Sequence, residues 1–335
     1  MVTAYQDDPW YVSTGNLPVE EDVVVALREV HARYATETMG DVSQVYPALA
    51  RVPAGLFGVS IVANTGNVYE AGDAAYLFSI MSVSKPFILA LVCQAVGWER
   101  VRDGVGANAT GLPFNSVAAI EVSADGRTNP MVNSGAIATT SLVPGGSVAA
   151  RWEFIHQGLS RFAGRDLALD EEVLASATDT NFRNRSIVQF LHSRGRVFCD
   201  PMEAVDLYTR QCSLSVSAHD LAVMGATLAD GGVNPLTRER VVDAHSCRYA
   251  LAVMATAGMY ENSGEWLCDI GLPGKSGIGG GIVTVSPGKG ALGTFAPPLD
   301  QAGNSVRGIL AAKALSHRLG LDLFMSKPAV SPSDS

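Results

Sequence analysis

Strand-like character sits near both ends of this chain and is sparse in its middle. Leu56-Phe57-Gly58-Val59-Ser60-Ile61-Val62 and Val68-Tyr69-Glu70-Ala71 flank Asn64-Thr65-Gly66-Asn67, a hairpin signal. Far downstream, Ile282-Val283-Thr284-Val285-Ser286 is again β-branched. Pro287-Gly288-Lys289-Gly290 turns the chain, and Ala291-Leu292-Gly293-Thr294-Phe295 pairs back. From about Trp98 to His245 the spacing is mostly helical, broken by glycine loops. The expected fold class is α/β: a mainly antiparallel sheet from both chain ends, flanked by helices, plus a helical lobe. The sheet lobe takes about 18–97 and 246–325, and the helical lobe about 98–245, within a single unit over 18–325.

Three helices are legible at their ends. Pro18 to Tyr34 has proline in its first turn, acids at Glu20, Glu21 and Asp22, and apolar spacing through Val23, Leu27 and Val30. Ser217-Ala218-His219-Asp220 starts another with a capping-box pattern, and Asn304 to Leu319 closes the fold. Residues 1–17 read as an arm that Trp10 and Tyr11 pin to the body or to a neighbouring subunit. The Pro/Ser-rich tail over 326–335 reads as disordered.

Composition removes several function classes. A chain of 335 residues with 47% hydrophobic content can bury a large core. Net charge is −9 with no basic patch, which argues against nucleic acid or an anionic membrane as partner. There is no apolar run of membrane-spanning length and no signal-peptide core at the N-terminus. Cys93, Cys199, Cys212, Cys247 and Cys268 are scattered and odd in number, the pattern of reduced core thiols in a cytoplasmic protein. No Cys/His cluster has zinc spacing, and the six histidines are isolated.

The chemistry is carried by Ser82-Val83-Ser84-Lys85. If this segment starts a helix, positions i and i+3 share a face, and the Lys85 amine can reach the Ser82 hydroxyl. A serine hydroxyl is a weak nucleophile without such a base. Burial beside Phe78, Ile80 and Phe87 can leave the lysine neutral near pH 7. S-x-x-K arises often by chance, and a polar helix start with a solvated lysine is the competing reading. Lys275-Ser276-Gly277, just before the 282–286 strand, decides between them. Penicillin-binding proteins and class A β-lactamases pair S-x-x-K with K-T-G beside the site, and K-S-G has the same chemistry.

Further motifs follow in order. They include Gly111-Leu112-Pro113-Phe114-Asn115-Ser116, Asn129-Pro130-Met131-Val132-Asn133-Ser134-Gly135, Phe182-Arg183-Asn184, Asp206-Leu207-Tyr208, Gly258-Met259-Tyr260 and Gly303-Asn304-Ser305-Val306-Arg307-Gly308. Across roughly 17–322 the chain resembles the serine-dependent glutaminases, which share a β-lactamase/transpeptidase-like fold. The intervening motifs match glutaminases rather than lactamases, so penicillin hydrolysis is disfavoured.

The resemblance implies that Ser82 attacks the side-chain amide of L-glutamine with Lys85 as base, releasing ammonia and then glutamate from an acyl-enzyme. The backbone amides of Ser82 and Ile278 would form the oxyanion hole, and Tyr260 would stand beside the nucleophile. Asn133, Asn184 and Tyr208 match positions that hold the substrate's amino-acid end. The two asparagines also suit turns or caps, and Tyr208 and Tyr260 also suit a core. Lys275 either orients Ser82 electrostatically or caps local structure. The resemblance further implies no metal or organic cofactor and a homodimer or homotetramer.

Three positions depart from the pattern. Val45 stands where the family has tyrosine, Met81 where it has glutamine, and Ala177 where it has the glutamate that meets the substrate's α-ammonium. Tyr46 and Asp179 are near enough in sequence to compensate. Removing the partner of a desolvated charge costs roughly 3–5 kcal/mol. Three readings remain at this stage: a glutaminase with adjusted contacts, the same amide chemistry on a substrate without a free α-ammonium, or a non-catalytic binding protein.

Overall fold

The computed structural model describes residues 16–325. The arm expected over 1–17 falls almost wholly outside them, and the tail over 326–335 wholly so. The first helix runs Glu20–Tyr34, with Val19 extended ahead of it (φ −57°, ψ 151°). Pro18 therefore precedes the helix instead of occupying its first turn, and Glu20, Glu21 and Asp22 supply the negative charge that favours a helix N-terminus.

Five strands form the central sheet: β1 (Gly58–Ala63), β2 (Val68–Gly72), β3 (Gly274–Ser276), β4 (Gly281–Ser286) and β5 (Gly290–Phe295). Their spatial order is β2-β1-β5-β4-β3, antiparallel throughout. The two chain ends meet at β1 and β5, where Gly58 faces Phe295 and Ile61 faces Leu292. The expected hairpin and strand pair are both present in register.

Both sheet faces are covered. Val62, Val283, Val285 and Ala291 join the core that includes helix Ala218–Ala229. Val59, Ile61, Ile282 and Leu292 face the other way, into a second core with helices Glu20–Tyr34 and Val306–Arg318. This is the period-2 alternation of a strand, with both faces apolar because both are buried. Helix 218–229 lies close against the sheet: a Cβ on Gly225 would come within 2.7 Å of Ala291 Cβ and Val283 Cγ2. Its N-terminus carries the expected reciprocal capping box between Ser217 and Asp220.

The segment that carries Ser82 sits where the sheet meets the helices. Phe78–Ser79 pairs with Ser215–Val216, and Ile80 N donates to Leu214 O at 2.9 Å. A 3-10 turn over Met81–Ser84 follows and runs into helix Lys85–Val96. That helix is buried on all sides from Lys85 to Cys93, as a central core helix is. Among the described residues no single helix is long and apolar enough to cross a membrane.

Candidate active site

Ser82 reaches the site because the chain is forced to turn sharply just ahead of it. Met81 has φ +48°, a left-handed conformation that a side chain adopts at a cost of about 1–3 kcal/mol. Tyr260 does the same at φ +56°. Both strained residues belong to the same constellation: Met81 adjoins Ser82, and the buried Tyr260 hydroxyl, which donates to Ser276 O at 3.1 Å, stands beside Ser82. Gly277 completes the fit: a Cβ there would stand 3.0 Å from Val83 Cγ2 and 3.1 Å from Ile80 O. The glycine of K-S-G thus lets the end of β3 approach the Ser82 turn.

Lys85 is 2% exposed, and burial lowers its pKa to about 7. Its Nζ donates to Asn133 Oδ1 at 2.8 Å and to Met131 O at 3.2 Å, rather than to Ser82. A neutral amine has two hydrogens and one lone pair. Both hydrogens are engaged here, which leaves the lone pair as the free position. Lys275 is fully buried on edge strand β3, 4.3 Å from the centre of the Tyr260 ring, and donates to Ser276 O at 2.5 Å. Burial, and secondarily the charge of Lys85, holds Lys275 well below the usual lysine range.

Asn133 organises the next layer. It opens helix Asn133–Thr140, yet its side chain caps nothing. Its Oδ1 accepts from both Lys85 and the Tyr208 hydroxyl (3.1 Å), and its Nδ2 donates to Asn184 Oδ1 at 3.0 Å. The donors fix every amide orientation in turn, so Asn184 is left with an NH2 group that has no protein acceptor among the described residues. Burial raises the Tyr208 phenol well above its ordinary pKa, so it stays a hydrogen-bond donor.

A cavity of about 150 Å³ opens over Ser82. It brings together Ser82, Asn133, Asn184, Tyr208 and Ile278, and also Val45, Met81 and Ala177. Lys85, Tyr260 and Lys275 are not part of its lining and are buried around Ser82's turn. Tyr46 lines the cavity, one residue later than the resembled pattern places a tyrosine. Asp179 does not: it is exposed, on a helix (Glu171–Thr180) whose buried face carries Ala177. Residues two apart on a helix point to nearly opposite sides, so Asp179 cannot take the place of a carboxylate at 177. The backbone amides of Ser82 and Ile278 have no acceptor among the described residues.

Sequence reasoning assigned no role to several lining residues. Phe114, Asn115 and Arg183 stand inside motifs already singled out, and Asn181 stands one residue ahead of one, so position alone flagged them. Cys212 had no such signal. Read as a core thiol, it lines the cavity instead, half-buried, 3.9 Å from Ser84 Oγ. Burial raises its pKa, so it is a protonated thiol near neutral pH.

A protein-family model described as Glutaminase matches residues 40–324. The chain belongs to the glutaminase family. It is 67% identical to Glutaminase 2 of Yersinia pestis over 318 residues, 95% of this chain and 94% of that one. A solved structure described as probable glutaminase ybaS matches with a TM-score of 0.91 at 45% identity, over 92% of this chain and 100% of that one. Mglu in its glutamate form matches with a TM-score of 0.87 at 35% identity, over 92% of this chain and 71% of that one. The fold is accordingly the β-lactamase-like fold of glutaminases. Within this glutaminase-family site, all three departing positions, Val45, Met81 and Ala177, lie on the cavity wall.

Proposed function

We propose that the protein hydrolyses the side-chain amide of glutamine to glutamate and ammonia through an acyl-enzyme on Ser82. One observation carries the reading above all: a buried lysine lowered to about 7, both amine hydrogens engaged, stands three residues from a serine at the floor of a cavity. The family membership and the names of its relatives support glutamine as the amide.

In this mechanism the Lys85 lone pair takes the Ser82 proton as Oγ adds to the amide carbon. The new oxyanion is held by the backbone amides of Ser82 and Ile278, the free donors at that spot. Preorganised donors of this kind contribute about 3–4 kcal/mol to lowering the barrier. The proton returns to the departing nitrogen, with the Tyr260 hydroxyl, which stands beside Ser82, as the relay. Ammonia leaves. Water, deprotonated by Lys85, then attacks the ester, and its proton regenerates Ser82 as the acid product departs. Lys275, buried against the Tyr260 ring, is held well below the usual lysine range by burial first and the charge of Lys85 second.

We take residues 18–325 as one catalytic unit, which the pairing of both chain ends in one sheet supports. We also take the protein to be cytoplasmic and a homodimer or homotetramer. The five unpaired cysteines support a reducing compartment. Light scattering that reports a monomer would remove the oligomeric part.

The test is ammonia release from L-glutamine by the wild type and by Ser82→Ala, with mass spectrometry of the quenched wild-type enzyme. A Ser82 adduct on the wild type and no turnover by the variant are expected. Turnover that survives Ser82→Ala would overturn the mechanism.

A further inference from the structure

The charge on the cavity that Ser82 lines suits a substrate whose charge is negative. Arg183 is its charged lining residue, and no aspartate or glutamate lines it among the described residues. Glu261 and Asp300, whose charge acts on Tyr260, lie outside the cavity. Asp179 faces solvent.

The neutral polar groups agree with that sign. Asn184 is 6% exposed and keeps its NH2 group unpartnered, a donor suited to a carboxylate. Asn181 offers the opposite. Its Nδ2 donates to Thr209 Oγ1 at 2.8 Å, and that hydroxyl gives its own proton to Val205 O at 2.7 Å. The Asn181 carbonyl oxygen is therefore left as a neutral acceptor, enough for an amide N–H. A single dipole does not compensate a buried ammonium, whose desolvation is far costlier than that of a neutral N–H. The remaining wall at Val45, Met81 and Ala177 is apolar. Val45 is 56% exposed at the mouth, so a substituent on the substrate can pass there toward solvent.

Resting on the amide-hydrolase reading above, we infer that the preferred substrate is a glutamine-type amide that carries a carboxylate but no charged α-nitrogen. The nitrogen is either acylated or absent. The reaction is unchanged: Ser82 displaces ammonia from the terminal amide, and water releases the acid. Free glutamine is turned over too, but with its ammonium uncompensated.

Steady-state ammonia release from L-glutamine, N-acetyl-L-glutamine and glutaric acid monoamide tests this on the full-length enzyme. We expect kcat/KM for at least one of the latter two to exceed that for glutamine by about tenfold or more. Glutamine equal to or better than both overturns the inference and leaves amide hydrolysis standing. No ammonia from any of the three overturns the amide-hydrolase reading and this inference with it. Two variants check the cause. Ala177→Glu should move the ratio toward glutamine by about tenfold, because it restores a carboxylate to the wall. Ala177→Gln, of the same length without the charge, should not. If A177E folds and leaves the ratio where it was, or if A177Q shifts it equally, the inference fails.

Discussion

The floor and the wall of this cavity are built on different principles. On and beneath the floor, Lys85 and Tyr208 meet at Asn133 Oδ1, and Asn184, joined to that junction through Asn133 Nδ2, marks the edge of the wall. Lys85 and Lys275 are both fully buried and both held below their ordinary pKa. Two residues beside them, Met81 and Tyr260, carry left-handed backbone. Such an arrangement is over-determined: a change at one member disturbs the rest. The wall at Val45, Ala177, Asn181 and Arg183 is different. Among the described residues no hydrogen bond or ion pair joins these four to one another, so each can be changed alone. The contrast teaches that reactivity in this fold is a property of a network, while selectivity is a property of single side chains.

Variants that attack the floor should therefore cost the most. Ser82→Ala and Lys85→Met are each expected to lower kcat by at least about a thousandfold, because nucleophile and base act as a unit. Asn133→Ala ranks next, at roughly 10- to 100-fold in kcat. It removes an acceptor that favours the protonated lysine, so the acid limb of its pH profile should move to lower pH. Asn184→Ala should act mainly on KM, since Asn184 lines the cavity and its NH2 group has no protein acceptor among the described residues. If N184A lowers kcat as much as N133A with KM unchanged, the division between floor and wall is wrong.

The pH behaviour follows from Lys85. The base must be neutral, so kcat/KM should fall as pH drops through about 7. The same group sets a slope in stability. Its pKa is about 7 folded against 10.5 in the unfolded chain, so between those values the unfolded state holds the extra proton. Stability then rises with pH across that window and is flat with respect to this group below it. Lys85→Met abolishes turnover but should flatten that slope and raise stability at pH 7 by about 1–3 kcal/mol, the relief of desolvation less the lost hydrogen bonds. Urea titrations of both proteins at pH 7 and pH 9 measure it. A variant that is less stable than wild type at pH 7 would contradict the assignment of Lys85 as a strained, neutral base.

Much of the floor was legible in the sequence, and the wall much less so. The strands at 58–72 and 281–295 announce themselves by β-branching and glycine turns, and K-S-G stands beside one of them. Ser82 and Lys85 are three apart, so local geometry sets them one turn apart, while the partners that Lys85 Nζ takes, Asn133 and Met131, come from the tertiary fold. Asn133 was ambiguous because a helix-opening asparagine usually serves as a cap. Only the tertiary placement of Lys85 beneath it draws the side chain inward. Cys212 stands between Gln211 and Ser213, outside every motif, and gave no hint of lining a cavity. Asp179 was the reverse case, near in sequence and excluded by helix periodicity, which a strict count of two residues from Ala177 already implies.

Tyr46 offers the smallest and sharpest comparison between the two regions. It lies in the wall, in the segment just before the 3-10 turn Leu49–Arg51, where no regular periodicity dictates which way neighbours point. That freedom lets Val45 and Tyr46 both reach the cavity although they are adjacent. Burial first, and the nearby Cys212 second, raise the Tyr46 hydroxyl to about 12, so it is a neutral donor at working pH. If its hydroxyl meets the substrate, Tyr46→Phe loses one hydrogen bond of about 0.5–1.5 kcal/mol. KM should then rise roughly 2- to 10-fold with kcat nearly unchanged. The ring also packs in the small cluster with Met81 and Ile278, which Phe preserves, so no loss of stability is expected. A fall in kcat with KM constant would move Tyr46 from the wall to the floor, because its effect would then pass through the network around Tyr208 and Cys212 instead of through the ligand.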